Sequence, residues 1–203
     1  MAAPLSPGPD RVKDRLTMRI IAGTFRSRQL KPLKKLRVRP TSDMLRETLF
    51  NILGPRVESV RFLDLFAGTG AVGIEAISRG AADVVFVENH RGAAQLIGEN
   101  LALLEINLSA RLIPADALAA IAKLDSERAA PFDIVFLDPP YANERDYHLV
   151  LHTLEESPLL GGSSLVIAEH RKTFSLPAAI GRLQQFRTLK QGDAALSFYR
   201  VSS

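Results

Sequence analysis

The 203-residue chain contains no cysteine. That excludes disulfides, thiolate metal sites and cysteine nucleophiles. No apolar run approaches the roughly 20 residues needed to span a bilayer. The opening residues, MAAPLSPGPDRVKDRLT, lack the apolar stretch of a secretory signal. Histidine is scarce: His90, His148, His152 and His170. His148 and His152 stand four apart on a predicted helix. Without cysteine or a clear carboxylate partner they read as a surface pair, and no metal is expected. No G-x-S-x-G elbow and no Walker lysine occurs. These absences leave a soluble cytoplasmic protein with no membrane association as the expectation.

What is present supports a packed core. The chain is 46% hydrophobic and 24% charged, which excludes a largely disordered chain and is enough for one domain with a small appendage. Its net charge of +4 is unevenly placed. Between Arg11 and Arg39 stand eleven basic residues and one acid, Asp14, a local charge of +10 that leaves the rest of the chain at −6. A mildly acidic body with a basic N-terminal arm is the footprint of a polyanion partner. The alternative is a solvated, self-repelling tail. Interleaving of the basic residues with strand-like apolar ones favours nucleic acid.

Residues 1–17, with Pro4, Pro7, Gly8 and Pro9, show no periodicity and read as disordered. Segments 18–22 and 28–30 flank Gly23-Thr24-Phe25 and predict a β-hairpin with basic residues outward. A basic loop, 31–40, leads to a helix on which Met44, Leu45, Thr48, Leu49, Ile52 and Leu53 recur at helical spacing, stopped by Gly54-Pro55. From residue 61 short apolar strands (61–66, 83–88, 109–114, 132–137, 164–169) alternate with helices (71–79, 91–104, 116–124, 144–156). That alternation predicts a parallel sheet covered on both faces. Strands 183–189 and 195–201 follow with no helix between them, so the sheet should finish with an antiparallel hairpin. The chain therefore divides into an extension (1–17), a basic hairpin-and-helix appendage (18–55) and an α/β domain (56–203).

Four strand ends carry chemistry. The first is Asp64-Leu65-Phe66-Ala67-Gly68-Thr69-Gly70-Ala71-Val72-Gly73, a G-x-G-x-x-G at a strand-to-helix turn. Glycines there allow positive φ and close approach of a ligand to helix amides. Asp64 beside the loop disfavours a pyrophosphate and suits a cationic group. The second is Glu88, placed to accept hydrogen bonds from ribose hydroxyls, or else a plain strand-end acid. The third is Asp116, readable as a helix N-cap, as an acceptor for an adenine amino group, or as both. The fourth is Asp138-Pro139-Pro140-Tyr141 after a buried strand. Its prolines remove amide donors, stiffen the turn and present carbonyls. With the Asp138 carboxylate they can hold both hydrogens of an exocyclic amine, while Tyr141 offers a stacking face for a base.

The order Asp64/Gly68/Gly70, Glu88, Asp116, Asp138-Pro139-Pro140-Tyr141 resembles the class I S-adenosylmethionine-dependent amino-methyltransferases. Met18-Arg-Ile-Ile-Ala-Gly and Arg39-Pro-Thr-Ser-Asp-Met-Leu-Arg-Glu-Thr-Leu-Phe-Asn51, with the glycine loop, are similar more narrowly to the bacterial 16S rRNA (guanine-N2)-methyltransferases of the RsmD type, over residues 18–200. The resemblance implies a Rossmann-like fold with a mostly parallel seven-stranded sheet. It implies S-adenosylmethionine as cofactor, held by Asp64, Phe66, Gly68, Gly70, Glu88, Asp116 and Ala117. Asp138, Pro139 and Tyr141 would act on a guanine of small-subunit rRNA in an assembled particle. Arg39 and Thr41 would edge the pocket, and Arg26, Arg28, Lys34 and Lys35 are the candidate RNA contacts of the arm. A monomer is expected. Residues 1–17 have no counterpart in the family pattern, as an extension or because Met18 is the start.

Rival readings are a DNA amino-methyltransferase, a protein-glutamine methyltransferase, a nicotinamide dehydrogenase and a non-catalytic RNA-binding protein. The segment 39–51 and the lack of a large target-recognition domain disfavour the first. Asp138 in place of asparagine disfavours the second, Asp64 and the Asp138 turn the third, and the intact pocket residues the fourth.

Overall fold

The computed structural model describes residues 18–32, 43–140 and 144–202. Lys34, Lys35, Arg39, Thr41 and Tyr141 lie outside the described residues. The elements are β1 (Met18–Arg19), β2 (Gln29–Leu30), α1 (Asp43–Leu53), β3 (Arg61–Asp64), α2 (Ala71–Ser78), β4 (Asp83–Val87), α3 (Arg91–Leu103), β5 (Ala110–Ile113), α4 (Ala117–Ser126), β6 (Phe132–Leu137), α5 (Glu144–Glu156), β7 (Leu160–Arg171), β8 (Ala179–Ile180), β9 (Leu183–Gln191) and β10 (Ala194–Val201). No described helix is long and apolar enough to cross a membrane.

The main sheet has the order β5-β4-β3-β6-β7-β10-β9-β8. Strands β3 to β7 pair in parallel, and β10 and β9 close the sheet as the expected antiparallel hairpin. Beyond the seven expected strands, the two-residue β8 pairs with β9 at the outer edge.

Alternation of side chains across each strand builds two cores. Phe62, Val84, Phe86, Ile134, Phe136 and Ile167 face one side, under α1, α2 and α3. Leu63, Val85, Val87, Val135, Leu137 and Val166 face the other, under α4 and α5. Met18, Ile20 and Leu30 of the N-terminal hairpin belong to the first core.

Two boundaries differ from the sequence expectation for physical reasons. The hairpin strands are short because the Ile21 and Ala22 amides turn away from the partner strand and donate to the buried Glu75 carboxylate, at 2.8 and 3.0 Å. The α-helix α1 ends at Leu53 as expected, but Gly54-Pro55 opens a 3-10 turn, Gly54–Val57, instead of a loop. Proline is tolerated there because the first turn of a helix needs no amide donor.

Candidate active site

Chain order reverses between β3 and β6, which are neighbours in the sheet although β4 lies on the other side of β3. Open α/β sheets bind ligands at such a crevice, outside the strand C-termini. Asp64 ends β3 there and is fully buried. The Gly73 N–H donates to its Oδ2 at 3.1 Å, while Oδ1 is buried with no hydrogen-bond partner. Burial pushes the Asp64 pKa up to about 7. The negative charge of Glu88 adds to the rise, and the amides of Gly73 and, less strongly, Phe66 oppose it. A buried carboxylate with an unpaired oxygen is stabilised by a cationic donor.

The loop after Asp64 depends on its glycines. Gly68 and Gly70 have φ of 55° and 80°, and Gly70 caps α2 from the left-handed region. At Gly73 a Cβ would lie 2.2 Å from the Phe86 ring, so this glycine lets α2 close onto β4. Glu88, half-buried just past β4, accepts from the Gly68 N–H through Oε2 and from the His90 N–H through Oε1, both at 2.7 Å. It thereby ties the second strand end to the glycine loop. Asp116 is the N-cap of α4, accepting from the Ala119 N–H at 3.0 Å, which is the helix-cap reading. It also borders the cleft, so its two readings are compatible.

That cleft has a cavity volume of about 120 Å³ and is lined by Leu65, Phe66, Glu88, Asp116, Ala117 and Leu149, among others. Leu118 and Leu149 are partly exposed apolar side chains on its walls. Sequence reasoning missed them and Asp146, because a single leucine on a helix carries no signal of its position over a cleft. The unpaired Asp64 oxygen, the left-handed glycines, the Glu88 acceptor and the apolar walls suit a zwitterionic amino-acid group linked to a nucleoside. S-Adenosylmethionine has that form, so the residues present fit it.

Asp138 and Pro139 follow β6. Asp138 is half-buried, Pro139 buried and Pro140 exposed. Tyr147 of α5, itself buried, donates its hydroxyl to the Glu169 carbonyl at 2.8 Å and lies 3.4 Å from the Pro139 carbonyl. The Pro139 carbonyl is therefore not presented only outward, as the turn sequence suggests. The Tyr147 ring sits against His170 and Phe174, with centroids 6.3 and 5.5 Å away. No local sequence signal marks this brace, since Tyr147 reads as one more residue of the apolar helix face.

The histidines are spread out. His90 caps α3 through Nδ1, His148 packs on Phe174, and His152 is exposed. His170 is buried between the Arg171 carbonyl and the Ser197 hydroxyl, and burial lowers its pKa.

The arm is placed differently from the pocket. Met18 Sδ accepts from the Thr69 hydroxyl of the glycine loop at 3.4 Å. The hairpin then runs along α2, and Thr24 and Phe25 donate to the Ser78 carbonyl and hydroxyl at the far end of that helix. Exposed Arg26 and Arg28 belong to that distal end, about 12 Å of helix away from the loop. The structure does not bring them to the cleft.

Strand order, switch-point crevice and glycine loop together define a Rossmann-like methyltransferase domain. The chain belongs to the family described as Conserved hypothetical protein 95, the RsmD family, whose model matches residues 18–200. Bacillus subtilis YlbH is 36% identical over 90% of this chain and 98% of its own length. Ribosomal RNA small subunit methyltransferase D of Escherichia coli K12 is 34% identical over 90% of this chain and 89% of its own. The solved structure of Escherichia coli yhhF superposes with a TM-score of 0.80 at 34% identity, over 92% of this chain and 98% of that one.

Proposed function

We propose that this protein transfers a methyl group from S-adenosylmethionine to the exocyclic N2 of a guanine in small-subunit rRNA, acting as a monomer on assembled particles in the cytoplasm. The observation that carries the reading is a register. Asp64 pairs with Phe136, two residues before Asp138, so a cation-seeking carboxylate and an amine-holding turn share one crevice on adjacent strands. The name of the Escherichia coli relative supports rRNA of the small subunit as the substrate class.

When bound, S-adenosylmethionine supplies a methyl group on a positively charged sulfur, an already activated donor. Asp64 takes its ammonium, Glu88 the ribose hydroxyls, and Asp116 with Ala117 the adenine. The Phe66, Gly68 and Gly70 backbone closes the floor. Asp138 and the Pro139 carbonyl accept the two N–H groups of guanine N2, and Tyr141 stacks on the base. An aryl amine is a weak nucleophile because its lone pair is delocalised into the ring. Acceptors on both hydrogens aim that lone pair at the methyl carbon and stabilise the positive charge that develops on nitrogen. The surplus proton leaves after attack, so no strong base is required. By the family resemblance Arg39 and Thr41 would edge the pocket, and Arg26, Arg28, Lys34 and Lys35 would contact RNA through the arm.

The test is transfer of labelled methyl to small-subunit particles from cells lacking the protein, followed by mapping of the base. Label at a guanine N2 of small-subunit rRNA is expected; label in DNA alone, or none, overturns the reading. Asp138→Ala should abolish transfer while calorimetry still detects cofactor binding. Parallel loss of both would move Asp138 to the cofactor side.

A further inference from the structure

We propose that the ends of β7 and β9, with the β9–β10 turn, form a second RNA-binding wall that grips the phosphodiester backbone beside the target nucleotide. The proposal rests on the rRNA methyltransferase reading and adds where the strand lies.

The wall follows from the register. Leu137, the last residue of β6, pairs with Ala168, yet β7 continues for three residues to Arg171. At about 3.3 Å per residue the overhang rises some 10 Å past Leu137, the end of β6 from which the Asp138-Pro139 turn leaves. Strand β10 holds it up, because Ala194 pairs with both Arg171 and Gln191, so β7 and β9 end level. The sheet order places this wall on one side of the turn and the cofactor cleft on the other.

Charge divides the same way. Around the cleft stand Glu88, Asp116 and Asp146. On the wall Arg171, Lys172 and Lys190 are all exposed. Lys172 is 3.2 Å from Asp193, an exposed pair of little strength. Lys190 makes no ion pair among the described residues, and its positive charge reaches inward far enough to help lower the pKa of buried His170. Phosphates approaching the rim are repelled by the cleft acids and attracted by the wall, which sets the direction in which the strand crosses the turn. Arg26 and Arg28 cannot supply this grip, since they lie at the distal end of α2.

The experiment compares the full-length double variant Arg171→Glu/Lys190→Glu with a charge-matched control, Lys123→Glu/Arg128→Glu, at the far end of α4. Binding to small-subunit particles is titrated with salt, methyl transfer gives KM and kcat, and calorimetry with S-adenosylhomocysteine reports the cofactor site. The wall variant should flatten the slope of log K against log salt by about 0.7–0.9 for each lost phosphate contact. Its KM for particles should rise roughly ten-fold or more, with cofactor affinity unchanged and the control like wild type. Should the double variant melt below the assay temperature, Lys190→Ala carries the test, with the slope change of a single contact. Unchanged slope and KM overturn the proposal, as does an equal loss in the control. Weaker particle binding at an unaltered slope assigns the wall to a protein partner and overturns it too. A wild-type enzyme that binds particles but methylates no rRNA overturns the reaction assigned above, while the slopes still report on the wall.

Discussion

Asp64 and Tyr147 show how much single side chains decide at this site. The Asp64 pKa is raised from 3.8 to about 7, so the folded chain holds a proton that the unfolded chain releases. Below about pH 4 both states are protonated and the group is neutral in its effect on stability. As pH rises from about 4 to about 7 the unfolded state ionises first, and stability falls by on the order of 4 kcal/mol. An ammonium at Asp64 reverses the preference. Binding of S-adenosylhomocysteine should therefore tighten as pH rises from about 5 to about 7 and expel close to one proton near pH 6. Calorimetry in buffers of different ionisation enthalpy reads that proton, and Asp64→Asn should abolish it. Absence of proton release in the wild type would place the ammonium elsewhere. Tyr147→Phe keeps the ring packed but removes a buried hydrogen bond, a loss of about 1–3 kcal/mol. With the Asp138-Pro139 turn less firmly braced, kcat should fall while cofactor affinity and particle KM stay near wild type. An unchanged kcat well below the melting temperature would make Tyr147 purely structural.

Among the elements, α2 does most to connect the parts. All of its residues are buried, and the one acid among them, Glu75, works as a junction. It accepts from Ile21 and Ala22 of the hairpin and from Arg79 Nε at 2.7 Å, and it lies 3.8 Å from Arg46 Nε of α1. The same helix begins at the glycine loop, so one rigid rod joins the arm to the cofactor cleft. Removing one member of a buried charge cluster leaves the others uncompensated. Glu75→Ala should cost about 3–5 kcal/mol in urea unfolding, and loosen the hairpin as seen by amide exchange at Ile21 and Ala22. A loss under 1 kcal/mol would mean that Arg46 and Arg79 are stabilised without it. An acid inside Ala-Val-Gly-Ile-Glu-Ala-Ile-Ser is visible in the sequence as an anomaly, but its partners are not. They lie 29 to 54 residues away on the N-terminal side, apart from Arg79 on the next turn.

Over the whole molecule, charge separates into an acidic body and a basic arm. Deleting residues 1–17 removes Arg11, Lys13 and Arg15 with Asp10 and Asp14, a net loss of one positive charge, and near-normal activity is expected. Neutralising Arg26, Arg28, Lys34 and Lys35 together should instead reduce the salt slope of particle binding by about 0.7–0.9 per phosphate contact, with cofactor affinity unaltered. Coincident slopes would make these four residues a solvated face.

The sequence by itself determined the parallel α/β architecture, because continuous apolar runs alternating with amphipathic segments have few other ways to bury their surfaces. It also located the strand ends at which Asp64, Glu88, Asp116 and Asp138 stand. Residues 132–137 and 144–156 were legible to the residue, since Pro131 and Asp138-Pro139 bound the strand and helical periodicity marks the other. Asp64, Glu88 and Asp116 were legible because strand ends in such a sheet converge on one rim. Only the tertiary structure decided that β7 runs on to Arg171, that β8 exists, that Tyr147 braces Pro139, and that Arg26 and Arg28 sit a helix length from the cleft. Each of these depends on pairing or packing with a distant part of the chain. β7 is prolonged by β10, some 23 residues beyond its end, and the hairpin is aligned by Glu75 and Ser78. Local periodicity reports which face of an element is buried, but it carries no information about which distant element covers that face or how far their pairing extends.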